Sequence, residues 1–190
     1  MVANLENETQ WAMEILAKDE FFAQMTKTDQ ERIIAEAIEF GTHLAEKTRD
    51  RLGIPTGVDS ISGMLSGLGS GVRIDDVTET AGPMSEYAED LLMARFFTLR
   101  IRQRAAAAAD RGEWNSGWYA LYEQCLAREL FHHVENTISG KASHHIRFKE
   151  RWLGLVPVSR PVEAAGDIAS LVFIRDFLNL DSIPFLMRDA

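Results

Sequence analysis

Ala127-Arg128-Glu129-Leu130-Phe131-His132-His133-Val134-Glu135 is the stretch on which the reading of this chain turns. Leu126, Leu130 and Val134 recur every fourth residue, the spacing of one buried helical face. Glu129, His132, His133 and Glu135 are all proton carriers or metal-ligand types. On a helix Glu129 lies beside His132 and His133, and His132 lies beside Glu135, so several of these groups can reach one point.

Working outward, Trp114, Trp118, Leu121 and Cys125 extend the apolar face upstream and Ile138 extends it downstream, predicting a helix of about 24 residues after the break at Gly112. Val162, Ala165, Ala169, Val172, Phe173 and Phe177 mark a second long helix, with Glu163 and Asp167 one turn apart. Upstream, residues 8–24 read as one or two short helices. Thr28 and Glu31 have the spacing of a capping box opening a helix to Leu52, closed by Gly53 and Pro55. Residues 53–83, with seven of the thirteen glycines, read as a Gly-rich connection holding a short helix around Ile61–Leu68 and a loop or short strand at Val72–Val77. Its Gly67-x-Gly69-x-Gly71 lacks the residues a phosphate loop needs. Pro83 is expected to start a helix through Tyr87 and Leu92. Residues 95–102 alternate like a strand but run into the helix-favouring alanines 105–109, and both readings stay open. Residues 139–160 read as loop, and a short helical turn is expected at Ile183–Met187.

The 190 residues are read as one domain, 46% hydrophobic and with a net charge of −9. That charge argues against nucleic acid or an anionic membrane as partner, because both demand a positive surface. No apolar run is long enough to span a bilayer, and no basic-then-apolar leader opens the sequence. Cys125, the single cysteine, rules out an internal disulfide and fits a reducing compartment; a cytoplasmic location is expected.

The central nonapeptide is one residue short of a known chemical pattern. Histidines at i and i+4 of a helix bind zinc from one face, and a glutamate at i+1 can deprotonate the metal-bound water. With the Val162–Ala169 segment and Phe177-Leu178-Asn179-Leu180, this stretch resembles the zinc-peptidase-like domain of the ImmA/IrrE type, and Leu52-Gly53-Ile54-Pro55 extends the similarity weakly upstream. The resemblance implies a mainly α, zincin-like single domain with at most a small two- or three-stranded sheet. It implies Glu129 as general base, His132 as a metal ligand, Glu163 or Asp167 as the later acidic ligand, and zinc as cofactor. Arg128 stands where the first histidine belongs, and a guanidinium offers only donors. His133, or His144 or His145 from the following segment, is the substitute the sequence offers. The expectation is therefore a degenerate metal site on a regulatory or protein-binding module with a protein or peptide partner. Metal-dependent peptide hydrolysis is the upper limit of its chemistry, and no cofactor is expected if the site is a pseudo-enzyme's.

Two other readings compete. Glu129-x-x-His132 is also the spacing found in ferritin-like bundles that bind two metal ions for redox chemistry, with Glu36 or Glu39, His43, Glu86 or Glu89, and Asp167 as further ligands. The third is a metal-free helical interaction protein in which His132 and His133 only complement the carbonyl end of their helix.

Overall fold

The computed structural model describes residues 2–76, 81–152 and 156–187, which form seven α-helices and five strands. Helix α1 (Val2–Leu16) leads to α2 (Lys27–Leu52). The box that opens α2 sits two residues before the expected one: extended Thr26 accepts the Asp29 backbone N–H at 3.2 Å, and Asp29 accepts the Thr26 N–H at 3.2 Å. Thr26-x-x-Asp29 offers the same reciprocal bonds as Thr28-x-x-Glu31, and the earlier pair adds about half a turn of helix. Gly53, at φ 90°, ends α2 as expected.

Helix α3 (Val58–Gly67) then leads into strand β1 (Gly71–Asp75), inside the stretch expected as loop or strand; Val77 lies outside the described residues. The expected helix after Pro83 is instead strand β2 (Ser85–Ala88) and a single 3₁₀ turn at Glu89–Leu91. The reason is a period of two. Ser85 and Tyr87 both reach the helix bearing Glu129 and His133, while Glu86 between them pairs with Arg95 at 2.5 Å. Strand β3 (Met93–Phe97) passes directly into α4 (Thr98–Asp110), so the ambiguous segment holds both structures. Ala94 and Phe96 bury at strand spacing, then Ile101, Ala105 and Ala108 at helical spacing. The sheet order is β1-β3-β2, with β1 parallel and β2 antiparallel to β3, which leaves β2 at an edge.

Helix α5 (Gly117–Val134) carries the central nonapeptide and continues as a π-helical turn at Glu135–Ser139. Residues 139–160, expected as loop, contain α6 (Ala142–His145), β4 (Arg147–Trp152) and the start of β5 (Val156–Pro161), the last two paired antiparallel. The molecule is mainly helical with a small three-stranded sheet, as expected, and gains this second, two-stranded one. Helix α7 (Glu163–Phe177) and a 3₁₀ turn at Phe185–Met187 complete it. Among the described residues no helix is long and apolar enough to cross a membrane.

The core forms where α2, α5 and α7 meet. Phe131 of α5 packs on Phe173 of α7, which stacks on Phe177, all fully buried. Cys125 lies in the same core under the C-terminal turn, its Sγ 4.0 Å from Met187 Sδ. Helices α2 and α7 approach so closely at Gly41 that an added Cβ would lie 2.4 Å from the Ala169 carbonyl oxygen and 2.9 Å from Val172 Cβ. Gly41→Ala must push two backbones apart and is expected to destabilise the fold by about 1–3 kcal/mol in urea titrations. Gly63→Ala, in α3 with nothing within 4 Å of its added methyl, should instead stabilise by about 1 kcal/mol through helix propensity. Equal effects of the two would show that the close crossing does not constrain the fold.

Candidate functional site

Two polar clefts meet at His132. The first, about 250 Å³, lies between β2 and α5 and is lined by Ser85, Glu86, Tyr87, Arg128, Glu129 and His132. The second, about 160 Å³, lies between the end of α5 and α7 and is lined by His132, Glu135, Lys141, Ser143, Glu163 and Asp167. His132 and Glu89 line both, so the two clefts adjoin, and together they make up the groove. The Lys141 ammonium pairs with Glu89 at 2.6 Å and ties the segment after α5 to the turn after β2.

Glu129 is the most constrained residue in this groove. It is 1% exposed, and its Oε1 accepts the Ser85 hydroxyl at 2.6 Å. Its Oε2 is buried with no hydrogen-bond partner. Burial pushes its pKa up, against the opposing pull of His132, the Ser85 hydrogen bond and Arg128, while Glu86 pushes it further up. A carboxyl held this way favours its protonated form more than an exposed glutamate does.

His132, partly exposed, has Nδ1 3.5 Å from Glu135 Oε2, the i,i+3 neighbour expected from the sequence. Glu135 Oε1 in turn accepts the Ala142 backbone N–H at 2.6 Å, so this carboxylate both orients His132 and fixes the start of α6. Arg128 lines the groove half-buried and makes no hydrogen bond or ion pair among the described residues. The Asp167 carboxyl is shifted upward by burial, opposed by Arg128 and His132 across the groove.

The groove therefore gathers Glu129, His132, Glu163 and Asp167 along its walls, but it does not gather His133. The fully buried His133 Nε2 lies 3.2 Å from the Leu68 carbonyl, which can only accept. Nε2 must therefore carry the proton, and Nδ1 accepts the Tyr87 hydroxyl at 2.7 Å. With both nitrogens engaged, His133 is a structural tie between α5, β2 and the end of α3, and neither nitrogen is left to ligate a metal. His145 is also committed elsewhere: its Nε2 donates to the Ser139 carbonyl at 3.1 Å, beside the Phe40 ring. Glu36, Glu39 and His43, the further ligands of a two-metal bundle, line a separate cleft with His145, while Glu86 and Glu89 belong to β2 and the turn after it. Ser85, Tyr87 and Lys141 belong to no motif in the sequence. The alternation of Ser85 and Tyr87 is the signal for the first two, hidden by a helix-like start at Pro83.

A catalytic zinc site takes three protein ligands. Among the described residues no three His, Cys, Asp or Glu side chains converge closely enough to hold an ion. Arg128 occupies the helical position i−4 to His132, and the nearest alternative imidazole is tied to Leu68 and Tyr87. This donor set does not fit zinc. Neither a scan of protein-family models nor searches of curated proteins and of solved structures returned a match.

The raised pKa of Glu129 gives a signed expectation. The native state holds this proton more tightly than the unfolded chain, so its contribution is fully present below the ordinary glutamate value of 4.5. That contribution is lost as pH rises through the elevated native value. Urea titrations across this range should show the wild type losing stability with rising pH relative to Glu129→Gln, whose amide cannot ionise. Parallel curves would mean that Glu129 is not held in this way. Ser85→Ala, which removes the carboxyl's one hydrogen bond, should cost about 1–3 kcal/mol.

Proposed function

We propose that this chain is a zinc-peptidase-like domain of the ImmA/IrrE type that has lost its metal site and works as a regulatory module binding a peptide segment. The observation that carries this reading is the buried Glu129, clamped by Ser85 of edge strand β2 and flanked by Arg128 and His132 in one groove. A carboxylate buried on a helix beside a sheet edge is costly to maintain. It sits at the place in the motif where a general base would sit.

The edge position of β2 supports a peptide as the partner. An edge strand presents unpaired backbone groups to which an extended segment can add. Here that strand also lines the groove. Arg128 then has a role that its motif position alone does not give: a half-buried guanidinium with no ion pair among the described residues is a fork for a carboxylate. The segment expected in the groove carries an acidic side chain or a terminal carboxylate near Arg128. No hydrolytic step is assigned, because the donor set does not fit the metal that such a step would need. The ferritin-like alternative lacks a shared cavity for its ligand set, and nothing in the groove favours it.

Two measurements test the proposal. Arg128→His restores imidazoles at i and i+4 on α5, facing Glu163 and Asp167 across the groove. Calorimetric titration should show about one zinc bound per chain in this variant and a much weaker response in the wild type. No gain in zinc affinity would remove the peptidase ancestry. Panning a peptide library against the wild type should enrich acidic or carboxylate-ending sequences whose binding Arg128→Ala weakens roughly tenfold, as expected for a lost charge-assisted hydrogen bond. Binding that is indifferent to Arg128 would leave the ancestry standing and remove the proposed recognition.

A further inference from the structure

On the far side of α5 lies a larger cleft of about 690 Å³ that shares no lining residue with the polar groove. One wall is an apolar stripe of α2 carrying Phe40, Leu44 and Leu52, and the facing surface is built from Leu68, Val134 and Ile138. Ile138 sits in the π-helical turn and is 51% exposed, an isoleucine that the fold leaves uncovered at the mouth of the cleft. Such turns are frequent at functional sites.

The charge on this cleft has one sign. Among the described residues its lining includes His43, Lys47, Arg51 and His145 and no aspartate or glutamate, in a chain with 29 acidic residues and a net charge of −9. His43, Lys47 and Arg51 follow one another at i, i+4 and i+8, forming a basic edge beside the apolar stripe. Neighbouring cations at that spacing repel each other. Lys47 and Arg51 are exposed and make no ion pair or hydrogen bond among the described residues. A cation in the last turn of a helix also suits its dipole. Of the two cations in that last turn, Arg49 turns to the Asp176 carbonyl and Arg51 borders the cleft, where Lys47, one turn earlier, joins it.

We propose that this cleft binds an anionic amphiphile, a long-chain carboxylate of the fatty-acid type. Its carboxylate pairs with Lys47 and Arg51 while its alkyl chain lies along Leu44, Leu68, Val134 and Ile138. The volume falls within the roughly 300–1,000 Å³ usual for small-molecule sites, and an apolar lining with a few convergent polar groups is their usual composition. An acidic helical peptide would satisfy the same charges, but the cleft has the volume of a small-molecule pocket.

The test uses the full chain and monomeric dodecanoate in calorimetric titration, with dodecanol as the neutral counterpart. The expected result is saturable binding of dodecanoate at about one per chain, with dodecanol at least tenfold weaker. The double variant Lys47→Ala/Arg51→Ala should lose about tenfold in affinity, as should Ile138→Ser, with thermal melts of both confirming an intact fold. Wild-type protein showing no saturable binding, equal affinity for dodecanol, or no effect of the double variant would each overturn the proposal. Binding of phosphatidylglycerol vesicles without binding of free dodecanoate would overturn it in favour of a lipid surface. Binding of an acidic helical peptide without dodecanoate would overturn it in favour of a protein.

Discussion

A carboxyl group inside a protein must be compensated, and the compensation shapes what surrounds it. Glu129 is almost completely enclosed, and its one hydrogen bond comes from Ser85, forty-four residues earlier in the chain. That bond, with the one from Tyr87 two residues on, follows from β2 being extended and running against α5. Two residues along, the same strand sends Tyr87 to His133, and His133 reaches on to the carbonyl of Leu68. These three polar contacts join α3, the sheet and α5, and none of them is recoverable from apolar patterning. Buried polar networks of this kind cost free energy if any member is lost, which is why they hold one geometry rather than several.

The long helices α2, α5 and α7 were legible in the sequence because each announces itself locally. Ile33, Ile34, Ala37, Leu44 and Ala45 repeat at helical spacing in α2, and Ala165, Ala169 and Val172 do so in α7. Gly53 and Gly112 stop their helices through positive φ. The small elements were not legible, because their conformation is decided at a distance. β2 has only four residues, and Pro83 before it resembles a helix start. The β4–β5 hairpin pairs Arg147 with Pro161 and Phe148 with Arg160, a register set by tertiary placement and not by an alternating apolar pattern.

The groove was half legible for the same reason. Helical spacing places Glu129, His132 and Glu135 together from sequence alone, and the structure keeps the last two in contact. The next residue, His133, is chemically the same as His132 but lies about 100° further round the helix. That rotation separates a histidine at a groove from one locked in the interior. Spacing identifies which side chains share a face. Which face is open to a ligand depends on what the rest of the chain brings against it, and here Tyr87 and Leu68 close the side that His133 occupies.

The thiol of Cys125 follows from the same enclosure. It lies beneath Met187 with no exposed surface, and burial pushes its pKa up to about 12. A thiol in that condition is neither nucleophile nor ligand while the chain is folded. Reagents in solution can therefore modify it only in molecules whose C-terminal turn or core has come apart. The protein thus carries, at its centre, its own tally of how often it opens.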